Sequence, residues 1–208
     1  MANNDVKDAI FNYLQSKNVP PKQAWLRDFM PSIRLNTPIV ALQKTAIFRI
    51  LSTDLTQAVQ ISSPNSVFPA GVSSPEVKER KLAGPITVQV LDIEDIGQSC
   101  WSQVENIEAH ERGEMTKGRE IIRVVTDETN TDSNNTADTA PSSGPHKLLP
   151  QDANGTKVFA FEMEELRGLG VQLTSIGAKL VLRDVVVARG VLLLEPKGTE
   201  VLGGKVET

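Results

Sequence analysis

The side chains that do chemistry in small proteins are scarce here: two histidines, His110 and His146, and one cysteine, Cys100, in 208 residues. A nucleophilic relay needs a nucleophile, an imidazole and an orienting carboxylate, and a zinc site needs several nitrogen or sulfur donors brought together. His146 lies in a stretch of loop-forming composition, so neither arrangement is assembled. Glu162, Glu164 and Glu165 could imitate an acid pair, but beside Arg167 at a strand end they read as a solvated edge. Gly168-Leu169-Gly170 lacks the further glycine and the strand-turn-helix frame of a phosphate cradle, and no Walker lysine motif occurs. The expectation is a non-enzyme: no catalytic residue, no metal ligand and no cofactor.

Binding chemistry is the remaining option, and charge limits it. The net charge is −4. Residues 1–60 carry seven Lys/Arg against four Asp/Glu, residues 61–127 seven against eleven, residues 128–155 one against four, and residues 156–208 seven of each. Each phosphate that a protein neutralises adds affinity through counterion release. Only the N-terminal segment leans basic, so tight autonomous DNA binding is not expected. Phe159 and Phe161 share one face of a strand and could stack on bases, but they lie in a neutral segment; an OB-type single-stranded nucleic-acid-binding protein is the alternative reading. A lone cysteine excludes an internal disulfide and points to a reducing compartment. The start of the chain lacks a leader pattern, and no apolar run approaches the ~20 residues of a membrane span.

The elements that must position these residues change character near residue 60. Val6, Ile10 and Leu14 form an apolar stripe at helical spacing over 5–17. Pro20 and Pro21 break that helix, and the next pairs Trp25 with Phe29 and Leu26 with Met30. Thr37-Pro38 starts a third, with Leu42, Phe48 and Leu51 as its apolar set. Residues 61–84, rich in Ser, Pro and Gly, read as a connector. Ile86, Val88 and Val90 alternate with Thr87 and Gln89, which predicts a strand with one buried face and a bulge near Leu91 to Ile93. Further strands are predicted over 120–125, 157–163, 179–187 and 191–195, with Arg189-Gly190 as a tight turn. The apolar run Val191 to Leu194, closed by Pro196, reads as a strand covered on both faces. Residues 113–119 read as a short polar candidate loop, and residues 128–155, dominated by Thr, Asn, Ser and Asp, are predicted to be a disordered insertion.

Six blocks in order resemble RecQ-mediated genome instability protein 1, a family of topoisomerase accessory subunits: Val19-Pro20-Pro21 with Trp25-Leu26; Leu51-Ser52-Thr53-Asp54-Leu55; the first barrel strand; Trp101-Ser102-Gln103; Gly177-Ala178-Lys179-Leu180; and Gly190 to Leu194, Pro196, then Val201-Leu202-Gly203-Gly204. The resemblance implies an α+β chain, mainly β-barrel, with an N-terminal helical layer (1–60) packed on a five-stranded OB-fold barrel (85–208). It also implies a nuclear, non-catalytic subunit that binds a type IA topoisomerase III, works with a RecQ-family helicase, meets DNA mainly through that complex, and promotes decatenation and double Holliday junction dissolution. With its ending near Thr208, the chain is expected by this resemblance to be a short, fungal-type member. By the same resemblance Lys179, Trp101, Gln103, Glu114, Lys117 and Arg119 are the expected topoisomerase-contact residues. For Lys179 the competing reading is a strand-start lysine whose charge reaches water. Animal members carry a long insertion after the first barrel strand that enters the topoisomerase gate; here the long insertion is predicted one connection later.

Overall fold

The computed structural model describes residues 2–33, 37–112, 144–171 and 173–206. The chain divides into two units, Met1–Asp95 with Pro145–Thr208, and Ile96–Gly144.

The first unit opens with helices α1 (Ala2–Ser16), α2 (Gln23–Phe29), α3 (Ile39–Leu51) and α4 (Leu55–Ala58). Ile10 and Leu14 of α1, Leu26 and Phe29 of α2, and Leu55 of α4 share one core. Trp25 stacks on Phe29 with ring centroids 5.0 Å apart and planes 9° from parallel, the i, i+4 pair expected from spacing. The α3 face differs from expectation. Leu42, Ala46 and Ile50 are buried while Phe48 is 71% exposed, because six residues turn a helix through about 240° and carry Phe48 away from Leu42. The Leu51 to Leu55 block is a helix-to-helix corner: Asp54 caps α4 by accepting from the Thr56 amide at 2.8 Å.

The same unit then builds one curled mixed sheet. Its strands are β1 (Glu79–Leu82), β2 (Ile86–Asp95), β3 (His146–Asp152), β4 (Phe159–Glu162), β5 (Lys179–Leu182), β6 (Val185–Ala188), β7 (Val191–Leu194) and β8 (Thr199–Gly203), in the order β1-β6-β7-β4-β3-β2-β5-β8. Only Arg183 and Asp184 separate β5 from β6, and Asp184 sits at φ 53°. These are two halves of one bent strand, one paired with β2 and the other with β7. Pairing therefore runs from β2 through β3, β4 and β7 and returns to β2 through the bend, the five-stranded circuit expected of an OB-type barrel. Strands β1 and β8 extend it at either end, and β4 with β7 is the parallel pair. Val88, Val90, Leu148, Ala160, Leu180, Leu182, Leu192 and Leu194 fill the interior.

Several sequence expectations change. The bulge in β2 is present as a register shift between Val90 and Ile93, but β2 has no wet face over its first half. Thr87 and Gln89 are buried because helices rather than solvent cover that side. Residues 146–152, placed by composition inside a disordered insertion, form β3; its inward positions are His146, Leu148, Pro150 and Asp152, a polar-flanked set that imitates a loop. Strand β1 begins inside the stretch read as a connector. Because β3 follows β2 in the barrel, the long insertion belongs to the first connection, 96–145, and not the second. The strand predicted over 120–125, the 113–119 loop and positions 128–143 lie outside the described residues.

The Gly203-Gly204 exit is a close approach. A Cβ on Gly204, which sits at φ +100°, would lie 2.5 Å from the Leu51 carbonyl oxygen and 3.0 Å from Leu51 Cβ, whereas Gly203, at φ +77°, has open space around it. The chain after β8 passes directly against the end of α3.

The second unit, taken by itself, holds α5 (Cys100–Glu111).

Candidate protein-docking site

Lys179 begins β5 directly opposite Gln89 of β2, so both side chains leave the same face of the sheet, toward α3 and α4. Lys179 is 1% exposed. Its Nζ donates to the Leu51 carbonyl at the end of α3 and to the Gly177 carbonyl, both at 2.8 Å. Helix C-terminal carbonyls lack intrahelical donors and carry partial negative charge, so an ammonium there acts as a cap. Gln89 completes the junction: its Oε1 accepts from the Leu55 amide at 2.8 Å and its Nε2 donates to Asp54 Oδ2 at 3.2 Å. Thr87 Oγ1 donates to the Asn18 carbonyl at 2.5 Å. Burial pulls the Lys179 pKa down from 10.5 to about 8, opposed by the Asp54 carboxylate. Burial also raises the Asp54 pKa, but hydrogen bonds from Thr56 and Gln89 outweigh it and leave the group below its ordinary value.

Lys179 thus takes neither of the two orientations considered from sequence. Its charge goes to backbone carbonyls inside the chain, not to water and not to a partner's surface. The sequence signal that could have found this is Gln89: two long polar side chains directly opposed on a strand pair that is apolar elsewhere except at Thr87 imply a shared buried polar layer.

The other expected contact residues separate. Trp101 and Gln103 lie on α5; Trp101 is 79% exposed, whereas Gln103 donates from Nε2 to the Gln98 carbonyl at 3.1 Å and serves the start of its own helix. Glu114, Lys117 and Arg119 lie outside the described residues. Nothing is placed between Lys179 and α5, which belong to different units.

Two further features escaped sequence reasoning. His146 and Glu162, read as loop and edge residues, are a buried pair: Glu162 Oε2 meets His146 Nδ1 at 2.5 Å and accepts from the His146 amide at 3.0 Å, while Oε1 accepts from the Leu166 amide at 2.8 Å. Glu164 and Glu165 are exposed as expected. Asp152 is likewise buried, tying the Phe68 amide at 2.7 Å and the Asn154 and Thr156 amides at 3.0 and 2.7 Å. Both carboxylates accept several backbone donors and hold turns, a structural use. Among the described residues no group of three His, Cys, Asp or Glu side chains is placed to hold a metal ion, and no helix is long and apolar enough to cross a membrane. On the helical layer, Trp25, Asp28, Phe29, Arg49, Ser52 and Thr53 line a groove of about 340 Å³.

The two regions match known families in the same order. The family described as RMI1, N-terminal helical domain, matches residues 14–58. The one described as RMI1, N-terminal OB-fold domain, matches residues 68–208, the whole strand circuit. The chain belongs to the RMI1 N-terminal family. Among curated relatives it is 30% identical over 138 residues to RecQ-mediated genome instability protein 1 of Schizosaccharomyces pombe, covering 61% of this chain and 58% of the relative. It is 30% identical over 143 residues to the Xenopus laevis protein of the same name, covering 68% of this chain and 23% of the relative. The chain thus spans little more than half of one relative and about a quarter of the other. The RMI1 assignment accounts for the sequence blocks physically: Asp54 and Leu55 cap and anchor α4, Lys179 caps α3, and Gly204 lets the exit pass against that same helix end.

Proposed function

We propose that this chain is a non-catalytic, nuclear subunit that docks on a type IA topoisomerase III, acts with a RecQ-family helicase, and promotes decatenation and double Holliday junction dissolution. The observation that carries the reading is the paired match of the helical and OB-fold RMI1 segments over nearly the whole chain, with relatives named for RecQ-mediated genome instability. A partner that shifts a gate must bind its open and closed states with different free energies, and a stiff body does this better than a loose one. The Lys179–Gln89–Asp54 junction supplies that stiffness by fastening the helices to the barrel. Trp101, large and exposed, is the α5 residue suited to anchor in a partner's pocket. The connection 96–145 follows the first barrel strand, the position at which animal members carry their gate-entering insertion, and we assign the gate-directed role to it. Lys179 in this reading shapes the docking body without touching the partner.

The test is decatenation of linked DNA circles by the topoisomerase III of the same organism, with and without this chain. Enhancement at a one-to-one ratio, with no activity from the chain alone, is the expected result; an unchanged rate together with failure to co-purify removes the proposal.

A further inference from the structure

The outer face of the barrel carries an apolar stripe. Strand register sets Val186 opposite Leu193 and Leu193 beside Phe161, and in the next row Ala188 opposite Val191 beside Phe159. Alternate residues Val187, Leu192 and Ala160 are the buried ones, so these six face outward, and Phe159 is 50% exposed. Lysines bracket the stripe: Lys81 opposes Val186 and Lys147 opposes Phe161. Each already holds an acid, Lys81 with Asp184 at 3.1 Å and Lys147 with Glu94 at 3.0 Å. Lys147 Nζ also lies 5.3 Å from the Phe159 ring centroid.

Charge and area decide what fits. Affinity for nucleic acid grows with cations free to neutralise phosphates; the rim lysines here are spent on their own carboxylates and Glu79 opposes Ala188 on the same edge, so the six apolar residues have no free cation beside them from these lysines. An apolar patch calls for an apolar counterpart. Three strands at ~4.8 Å spacing and two rows ~7 Å apart give, with side chains, roughly 300 Å². Two copies face to face would bury about 600 Å², within the crystal-packing range and far below the ~1,600 Å² of a stable interface. An apolar centre of this size with a charged rim is the pattern of an anchor region within a larger contact. We infer that this stripe docks a different, folded protein through an uncharged apolar ridge, the remaining contact area coming from elsewhere on this chain. The inference rests on the proposed function for its partner, the topoisomerase.

The test measures affinity of the full chain for the topoisomerase III of the same organism. It compares wild type with Phe159→Glu, Phe159→Leu and, as an off-patch control, Phe48→Glu on the exposed side of α3. Melting temperature is recorded for each. The expected result is a loss of about tenfold or more for Phe159→Glu, with Phe159→Leu and Phe48→Glu near wild type, since apolar surface and not a stacking ring is required. A wild-type complex that Phe159→Glu leaves unchanged overturns the stripe and spares the proposed function. No complex with wild type overturns both. Salt-dependent oligonucleotide binding lost in both Phe159 variants replaces the protein occupant with a nucleic acid, and a concentration-dependent dimer lost in Phe159→Glu replaces it with a second copy.

Discussion

Replacing Lys179 with Met removes the buried ammonium while keeping an unbranched apolar chain in the same space. In the fold the pKa of Lys179 is about 8, against an ordinary 10.5. At about 1.4 kcal/mol per unit, that gap is roughly 3 kcal/mol. The folded pKa is lowered, so between about pH 8 and 10.5 the unfolded chain binds more protons than the fold, and unfolding free energy rises with pH across that window. Below it both states are protonated and the buried charge carries its full cost; above it both are neutral and the cost is gone. Asp54, the carboxylate that opposes the shift, has a pKa below its ordinary value and stays ionised throughout, adding no slope. Methionine does not titrate. The stability of wild type minus that of Lys179→Met should therefore climb by up to roughly 3 kcal/mol from about pH 7.5 to 10.5, read by urea unfolding at half-unit steps. At neutral pH the variant also loses two charge-assisted hydrogen bonds to the Leu51 and Gly177 carbonyls, each contributing about 1.5–3 kcal/mol; it should therefore be no more than marginally stabilised, and Lys179→Ala should lower the melting temperature outright. A difference that stays flat across the whole pH range would show that Lys179 titrates like a surface lysine and would refute the buried-cap argument.

Gly204→Ala should cost about 3 kcal/mol or more, because its Cβ would strike the Leu51 carbonyl on top of the positive-φ strain. Gly203→Ala should cost only the ~1 kcal/mol of left-handed backbone, a contrast readable in denaturant midpoints. Leu192→Ala, at 0% exposure in the barrel interior, should cost about 2–5 kcal/mol in the same assay. Trp101→Ala should leave the melting temperature unchanged and weaken the topoisomerase complex by about tenfold; equal affinity removes the anchor role. Deleting 128–143 while retaining β3 should leave subunit binding intact and reduce decatenation, whereas deleting 128–155 should unfold the barrel because it removes His146–Asp152.

Strong periodicity and turn chemistry were legible in the sequence. The Ile10 and Leu14 stripe, the Trp25–Phe29 pair, the β2 bulge and the existence of the Val191–Leu194 strand all follow from spacing that local physics enforces. That strand is not covered on both faces, however: Leu192 and Leu194 are buried while Val191 and Leu193 stay half-buried on the outer side of the barrel. What escaped was polar burial. β3 looks like a loop because His146, Pro150 and Asp152 occupy its inward positions; His146 pairs with Glu162, and Asp152 accepts from the distant Phe68 amide as well as from Asn154 and Thr156 nearby. Phe48 looked like core because its size outweighed its angular position on α3. Lys179 looked like a surface contact because a lone strand lysine says nothing of the helix end 128 residues earlier that receives its charge. Family resemblance named the fold and the segments; it could not say which way that side chain points.

The most direct test of the account is a calorimetric titration of this chain into the topoisomerase III of the same organism, with a single-stranded oligonucleotide titrated in parallel. The account predicts saturable one-to-one binding to the topoisomerase and no measurable binding of the isolated chain to the oligonucleotide at physiological salt. Absent heat with the topoisomerase and saturable, steeply salt-dependent binding to the oligonucleotide would contradict it.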